Sequence, residues 1–128
     1  MKLDLKELLA KITGQSEFKT LLWTNPSPTS QFAPQTISID LSDYNEVEIE
    51  FKHASVSDSY LYQKARVGSA DVGLFYMSVK SGASPEYEGR PLTVASDGIT
   101  FEAGARYYGS TMYTDNIRCI PTRIYGLK

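Results

Sequence analysis

The sequence predicts an all-β fold, an antiparallel β-sandwich or jelly roll of about eight strands behind a short N-terminal helix. Three observations predict it. EVEIEFK at 46–52 alternates throughout, with Val47, Ile49 and Phe51 on one face and Glu46, Glu48, Glu50 and Lys52 on the other, the period of a strand with one buried side and one wet side. Short apolar stretches recur roughly every 8 to 12 residues, divided by turn-rich text such as TNPSPTS, LSDYN, KSGASPEYEG and SDG. From Glu17 onward no stretch carries the apolar period of a helix.

The helix is expected over residues 1–13, where Met1, Leu5, Leu8 and Ile12 make a two-heptad apolar seam and Gly14 stands at a C-terminal cap position. Isolated helices need about 12 to 15 residues even in favourable compositions, so something must cover this one. It either docks on its own domain or joins identical helices from two or three copies in a short coiled coil. The change of character after Gly14 favours the second, with 1–14 an oligomerisation helix and 15–128 a β-sandwich head. Strands are expected at 18–24, 36–41 (TISIDL), 46–52, 59–67, 72–80, 91–95, 99–103 and 117–126. In ASDGITF, Asp97 and Gly98 suit the positive φ angles of a tight primed turn between Val94 and Ile99.

The 128 residues suffice for one domain with a core of its own. A net charge of −2 offers no basic field for phosphate backbones, which disfavours nucleic acid as a partner. No apolar run approaches the roughly 20 residues that cross a bilayer, so membrane insertion is not expected. Asp4, Lys6 and Glu7 interrupt what would be the apolar part of a secretory signal, so synthesis in the cytoplasm is expected. Cys119 has no second cysteine to pair with, and the lone His53 cannot complete a zinc site with it. No cofactor or metal is expected.

The segment ARYYGSTMYTDN at 105–116 has the composition of a recognition surface. Tyr107, Tyr108 and Tyr113 would stack on sugar rings while Asp115 and Asn116 exchange hydrogen bonds with hydroxyls. The plainer reading is a strand with Tyr107 and Tyr108 on opposite faces, one of them buried. SGASPEYEGRP at 81–91 reads as a long polar loop, a common seat of function, and contributes Tyr87. Paired carboxylates about 5 to 9.5 Å apart hydrolyse glycosidic bonds. Glu46, Glu48 and Glu50 meet that spacing at roughly 6.6 to 7 Å per two-residue step. A charged face on a half-buried strand is nevertheless the commoner cause of such a row, with Arg118 or Arg123 of a neighbouring subunit offsetting it. His53 reads as a surface or strand-end residue, and Cys119, between Arg118 and Ile120, as a small hydrophobe of the terminal strand.

LLWTNPSPTSQFAPQTISIDLSDYNEVEIEF at 21–51 and TDNIRCIPTRIYGLK at 114–128 resemble the C-terminal head domain of phage and prophage tail-fibre, or receptor-binding, proteins of Gram-positive gut bacteria. The resemblance rests on the Leu-Trp-Thr-Asn opening, the strand ending at a Leu-Ser-Asp-Tyr corner and the Ile-Pro-x-x-Ile-Tyr-Gly tail. It covers a little over a third of the chain. It implies core roles for Trp23, Ile37, Ile39 and Leu41, and a final strand for the tail. It further implies a homotrimer on the virion, attached to other tail proteins and recognising a host cell-surface glycan. Fibre proteins carry a long shaft upstream, so the chain corresponds either to a stub of stalk plus head or to a small attachment protein. The expected function is non-enzymatic receptor binding; the alternatives are a carbohydrate-binding module, a capsid or head-fibre decoration protein and, less readily, a polysaccharide depolymerase.

Overall fold

The computed structural model describes residues 4–6, 19–79, 82 and 84–128. Of the expected helical seam, Met1, Leu8 and Ile12 lie outside the described residues, and Leu5 is 68% exposed. Ten strands form among the described residues: β1 (Lys19–Thr24), β2 (Gln35–Ser38), β3 (Glu46–Ala54), β4 (Leu61–Arg66), β5 (Val72–Ser78), β6 (Glu86–Ala95), β7 (Gly98–Phe101), β8 (Ala105–Tyr108), β9 (Thr111–Thr114) and β10 (Arg118–Leu127). The surplus over the expected eight comes from the segments read as loops. The SGASPEYEGRP stretch enters β6 at Glu86, and 105–116 is mostly the β8–β9 hairpin.

All pairing is antiparallel. One sheet has four strands in the order β1-β10-β3-β4, and the other has six, β2-β7-β6-β8-β9 with β5 on the second edge of β6. Strands β7 and β8 lie end to end along β6, Leu92 facing Phe101 and Gly89 facing Ala105, so the register slips by one residue across 102–104. The core lies between the sheets. Val47, Ile49 and Phe51 of β3 and Ile120 and Ile124 of β10 meet Leu74 of β5, Leu92 and Val94 of β6, and Ile99 and Phe101 of β7. The alternation of EVEIEFK thus sends its apolar half inward as expected. Leu41 is fully buried, whereas Trp23, Ile37 and Ile39 are only partly buried against this core.

The other half of EVEIEFK is not wet. Glu48, Glu50 and Lys52 are all buried, because long polar side chains fold over them from neighbouring strands. Lys19 reaches Glu48 at 2.6 Å. Tyr62 and Thr122 donate to Glu50 at 3.1 and 2.9 Å, and the Lys52 ammonium donates to the Ser55 carbonyl at 2.9 Å. The offsetting cations belong to this chain itself, Arg123 standing 3.9 Å from Glu50.

The hairpin in ASDGITF also differs in detail. Ala95 pairs with Gly98, leaving Ser96 and Asp97 as the turn, and the positive φ angles fall elsewhere, at Gly68, Asp71, Gly82, Gly109 and Cys119. Gly98 is needed for closeness: a Cβ there would come within 2.5 Å of the Ile37 carbonyl oxygen on β2. The positive first position of a two-residue turn is instead Gly109, φ 58°, between Tyr108 and Thr111, the position at which type II′ hairpins take glycine.

Candidate functional site

The site is set by the alternation of β6. Its inward residues are Glu88, Arg90, Leu92 and Val94, all buried, while Tyr87, Gly89 and Pro91 face out. Around Glu88 to Pro91 the usual distribution is inverted, with charges inside and ring and glycine outside.

The inward charges are fully engaged. Arg90, 1% exposed, donates from Nε to the Cys119 carbonyl at 2.9 Å, from Nη1 to that of Glu102 at 2.7 Å, and from Nη2 to those of Asn116 and Arg118 at 3.1 and 3.0 Å. Its guanidinium also lies 5.2 Å from the Phe32 ring centre. Burial pushes its pKa down to about 10, so it remains a cation at neutral pH. Glu88, 3% exposed, accepts from Arg118 Nη1 at 2.9 Å and lies 3.3 Å from His53 Nδ1. Arg118 Nε donates to Asp115 at 3.1 Å. His53, the next-to-last residue of β3, is at a strand end as expected, half-buried and stacked on Tyr76 with ring centres 4.3 Å apart. Cys119 is fully buried as expected, and burial above all pushes its thiol up to about 12.

On the outer face, register brings rings together. Tyr87 of β6 stands opposite Tyr107 of β8, and Phe75 of β5 stands opposite Gly89. The Phe75 and Tyr87 ring centres are 6.1 Å apart, and Phe75 is 54% exposed. With Pro91, Gly73 and Asp71 they line an open groove of about 640 Å³. Arg90 borders it, but its guanidinium is spent on the inner-face carbonyls.

Of the residues expected to bind, Tyr87 and Tyr107 share this groove. Tyr108 and Tyr113 do not: strand alternation turns them to the other face, where they meet edge to face at 5.9 Å. There the Arg106 guanidinium covers Tyr108 at 4.9 Å and also bonds to its hydroxyl, and it reaches Glu86 at 3.3 Å. Asp115 and Asn116 are taken by the scaffold. Asp115 accepts from the Ile117 amide and Arg118, and the Asn116 side chain accepts from the Gly104 amide at 3.1 Å. Sequence reasoning missed Phe75, Gly73, Gly89 and Asp71. A signal existed for Phe75: in GLFYMS both alternating sets are apolar, and a strand beside one core buries only one of them.

No family model, curated protein or solved structure matches this chain.

Two other features compete for the site. A smaller cleft of about 290 Å³ runs past Trp23, Gln31 and Phe32, but its Asn25 is committed to the Pro121 carbonyl at 2.9 Å. The carboxylates of Glu48 and Glu50, two residues apart on β3, are engaged by Lys19, Tyr62 and Thr122. The Glu48 bond raises the Lys19 ammonium pKa, and the Glu50 bond raises that of the Tyr62 hydroxyl. Among the described residues no three His, Cys, Asp or Glu side chains group as metal ligands would.

Proposed function

We propose that this chain is a non-enzymatic receptor-binding head that attaches a virion to a host-surface glycan, and that the sugar lies in the groove of Phe75, Tyr87 and Tyr107. The observation that carries the reading is the turned-out half of β6: a small domain leaves three rings at its surface while burying Glu88 and Arg90 behind them. Rings with a polar rim suit pyranoses, which offer a face of C–H groups bordered by hydroxyls. In this reading the paired sheets are a jelly-roll head, and the Met1, Leu5, Leu8 and Ile12 seam gathers three copies beside other tail proteins. Contacts of this kind hold single sugars at about millimolar affinity, near −4 kcal/mol. Three linked sites raise the effective affinity by about two orders of magnitude or more without new contacts.

The test is titration of the chain with wall and capsule polysaccharides of Gram-positive gut bacteria, by calorimetry and by sedimentation of cells. Tyr87→Ala and Tyr107→Ala are each expected to weaken binding about tenfold, ring contacts being worth about 1 kcal/mol or slightly more. The polymers should keep their length after incubation. Unchanged binding by both variants would move the site elsewhere, and shortened polymer would replace the reading with a depolymerase.

A further inference from the structure

The groove has a centre, and its chemistry narrows the ligand. Gly89 has no side chain, and three rings stand around that vacancy. Phe75 lies directly across in β5, Tyr87 is two residues back on the same face, and Tyr107 leans over it so that its Cε2 would be 3.9 Å from a Cβ at Gly89. Asp71, the residue before β5, also lines the groove, with φ at 59°. Among the described residues, the one cation bordering the groove, Arg90, is directed into the interior. The groove is thus lined by three aromatic rings and one acidic residue.

Such a surface attracts a cation. A primary ammonium has three N–H donors to satisfy, and leaving donors unpaired on partial desolvation is costly. A quaternary ammonium has none, and its methyl groups fit against rings. Resting on the glycan reading above, we propose that the groove centred on Gly89 receives a trimethylammonium group carried as a substituent on the host-surface polymer.

The experiment titrates the full chain with choline chloride and with its uncharged isostere 3,3-dimethyl-1-butanol at fixed ionic strength, following tyrosine and phenylalanine ring signals by NMR. Choline is expected to bind about fivefold or more tighter than the isostere, the contrast that cation–π attraction at exposed rings provides. Asp71→Asn preserves shape and tolerates the left-handed φ, and it should remove about half of that preference in free-energy terms. Gly89→Ala is the second variant, because its Cβ meets only ordinary contacts, 3.5 Å to the Leu74 carbonyl oxygen and 3.9 Å to Tyr107. It should fold normally and lose choline binding. Equal binding of choline and isostere overturns the proposal. So does binding of uncharged polysaccharide without choline, which leaves the glycan reading standing. Choline binding with no affinity for any polysaccharide would keep a trimethylammonium site in the groove but overturn the polymer as its source, and the glycan reading with it. Preferential binding to phosphatidylcholine vesicles over a choline-substituted polymer would overturn the polymer as the source.

Discussion

The inner and outer faces of β6 are made by alternate residues of one strand, yet they answer to different demands. Inward, Glu88 and Arg90 are placed where each polar atom has a partner: Arg90 joins 102, 116, 118 and 119, and Glu88 joins β3 to β10 through His53 and Arg118. Outward, Tyr87, Gly89 and Pro91 have rings for neighbours and solvent beyond them. The inner face therefore carries stability and the outer face is free to carry recognition. A buried charge is costly unless fully satisfied, whereas a half-exposed ring adds little to folding and can be spent on a ligand.

The largest test of that division is Arg90→Met, which keeps much of the volume and removes every donor. Four carbonyls, that of Cys119 buried and the others partly buried, then lose a partner, and a destabilisation of about 3 to 5 kcal/mol is expected. A urea midpoint followed by circular dichroism measures it. Arg90→Lys should recover only a minor part, since one ammonium cannot span the same fork of acceptors. A midpoint within experimental error of wild type for Arg90→Met would end the claim that this face holds the sheets together.

How much of this was legible in the sequence follows from the same contrast. The all-β class and the core of β3 were plain, because alternation of Val47, Ile49 and Phe51 with charged residues is a pattern local to seven residues. The second half of β6 was expected at 91–95, but its first half was hidden because hydrophobic alternation is the signal for a strand, and in EYEGRP the inward positions include Glu88 and Arg90. Their burial depends on partners up to 35 residues away, such as His53, which no local window contains. The wet face assigned to EVEIEFK failed for a related reason: the covering groups Lys19, Tyr62 and Thr122 come from β1, β4 and β10. For the candidate site, tyrosine content drew attention to 105–116, but which ring shares a face with which depends on register. Register separated Tyr107 from Tyr108 and joined Tyr107 to Tyr87.

An intermediate effect comes from Cys119, whose carbonyl Arg90 binds. Its thiol ionises near 9.0 when unfolded and is raised to about 12 in the fold, first by burial and then by the charge of Glu88. Above pH 9 the unfolded chain sheds a proton that the folded chain keeps, so this group's contribution to stability falls as pH rises towards 12. Arg90 acts in the opposite sense above about pH 10, because its folded pKa lies below the unfolded one. The clean window is therefore pH 8 to 10. Across it wild type should lose about 1 kcal/mol relative to Cys119→Ala, as read from denaturant midpoints at each pH. Parallel curves for the two proteins would place the thiol in contact with water.

The smallest effect belongs to the outer face and is the sharpest check on the comparison. Phe75 and Tyr87 are 6.1 Å apart and tilted by 37°, with Phe75 more than half exposed. Cross-strand and aromatic pairs of this kind contribute about 0.2 to 1 kcal/mol. A double-mutant cycle of Phe75→Ala, Tyr87→Ala and the pair should give single losses of about 1 kcal/mol or less and a coupling near 0.5 kcal/mol. The same proteins should bind choline and polysaccharide more weakly, by about tenfold for Tyr87→Ala and to the point of loss for the pair. A coupling of about 2 kcal/mol or more would mean that the rings brace β5 against β6, and their exposure would then be a by-product of packing. A small coupling with binding abolished separates the two faces as argued, because rings that the fold scarcely needs are then the ones the ligand requires.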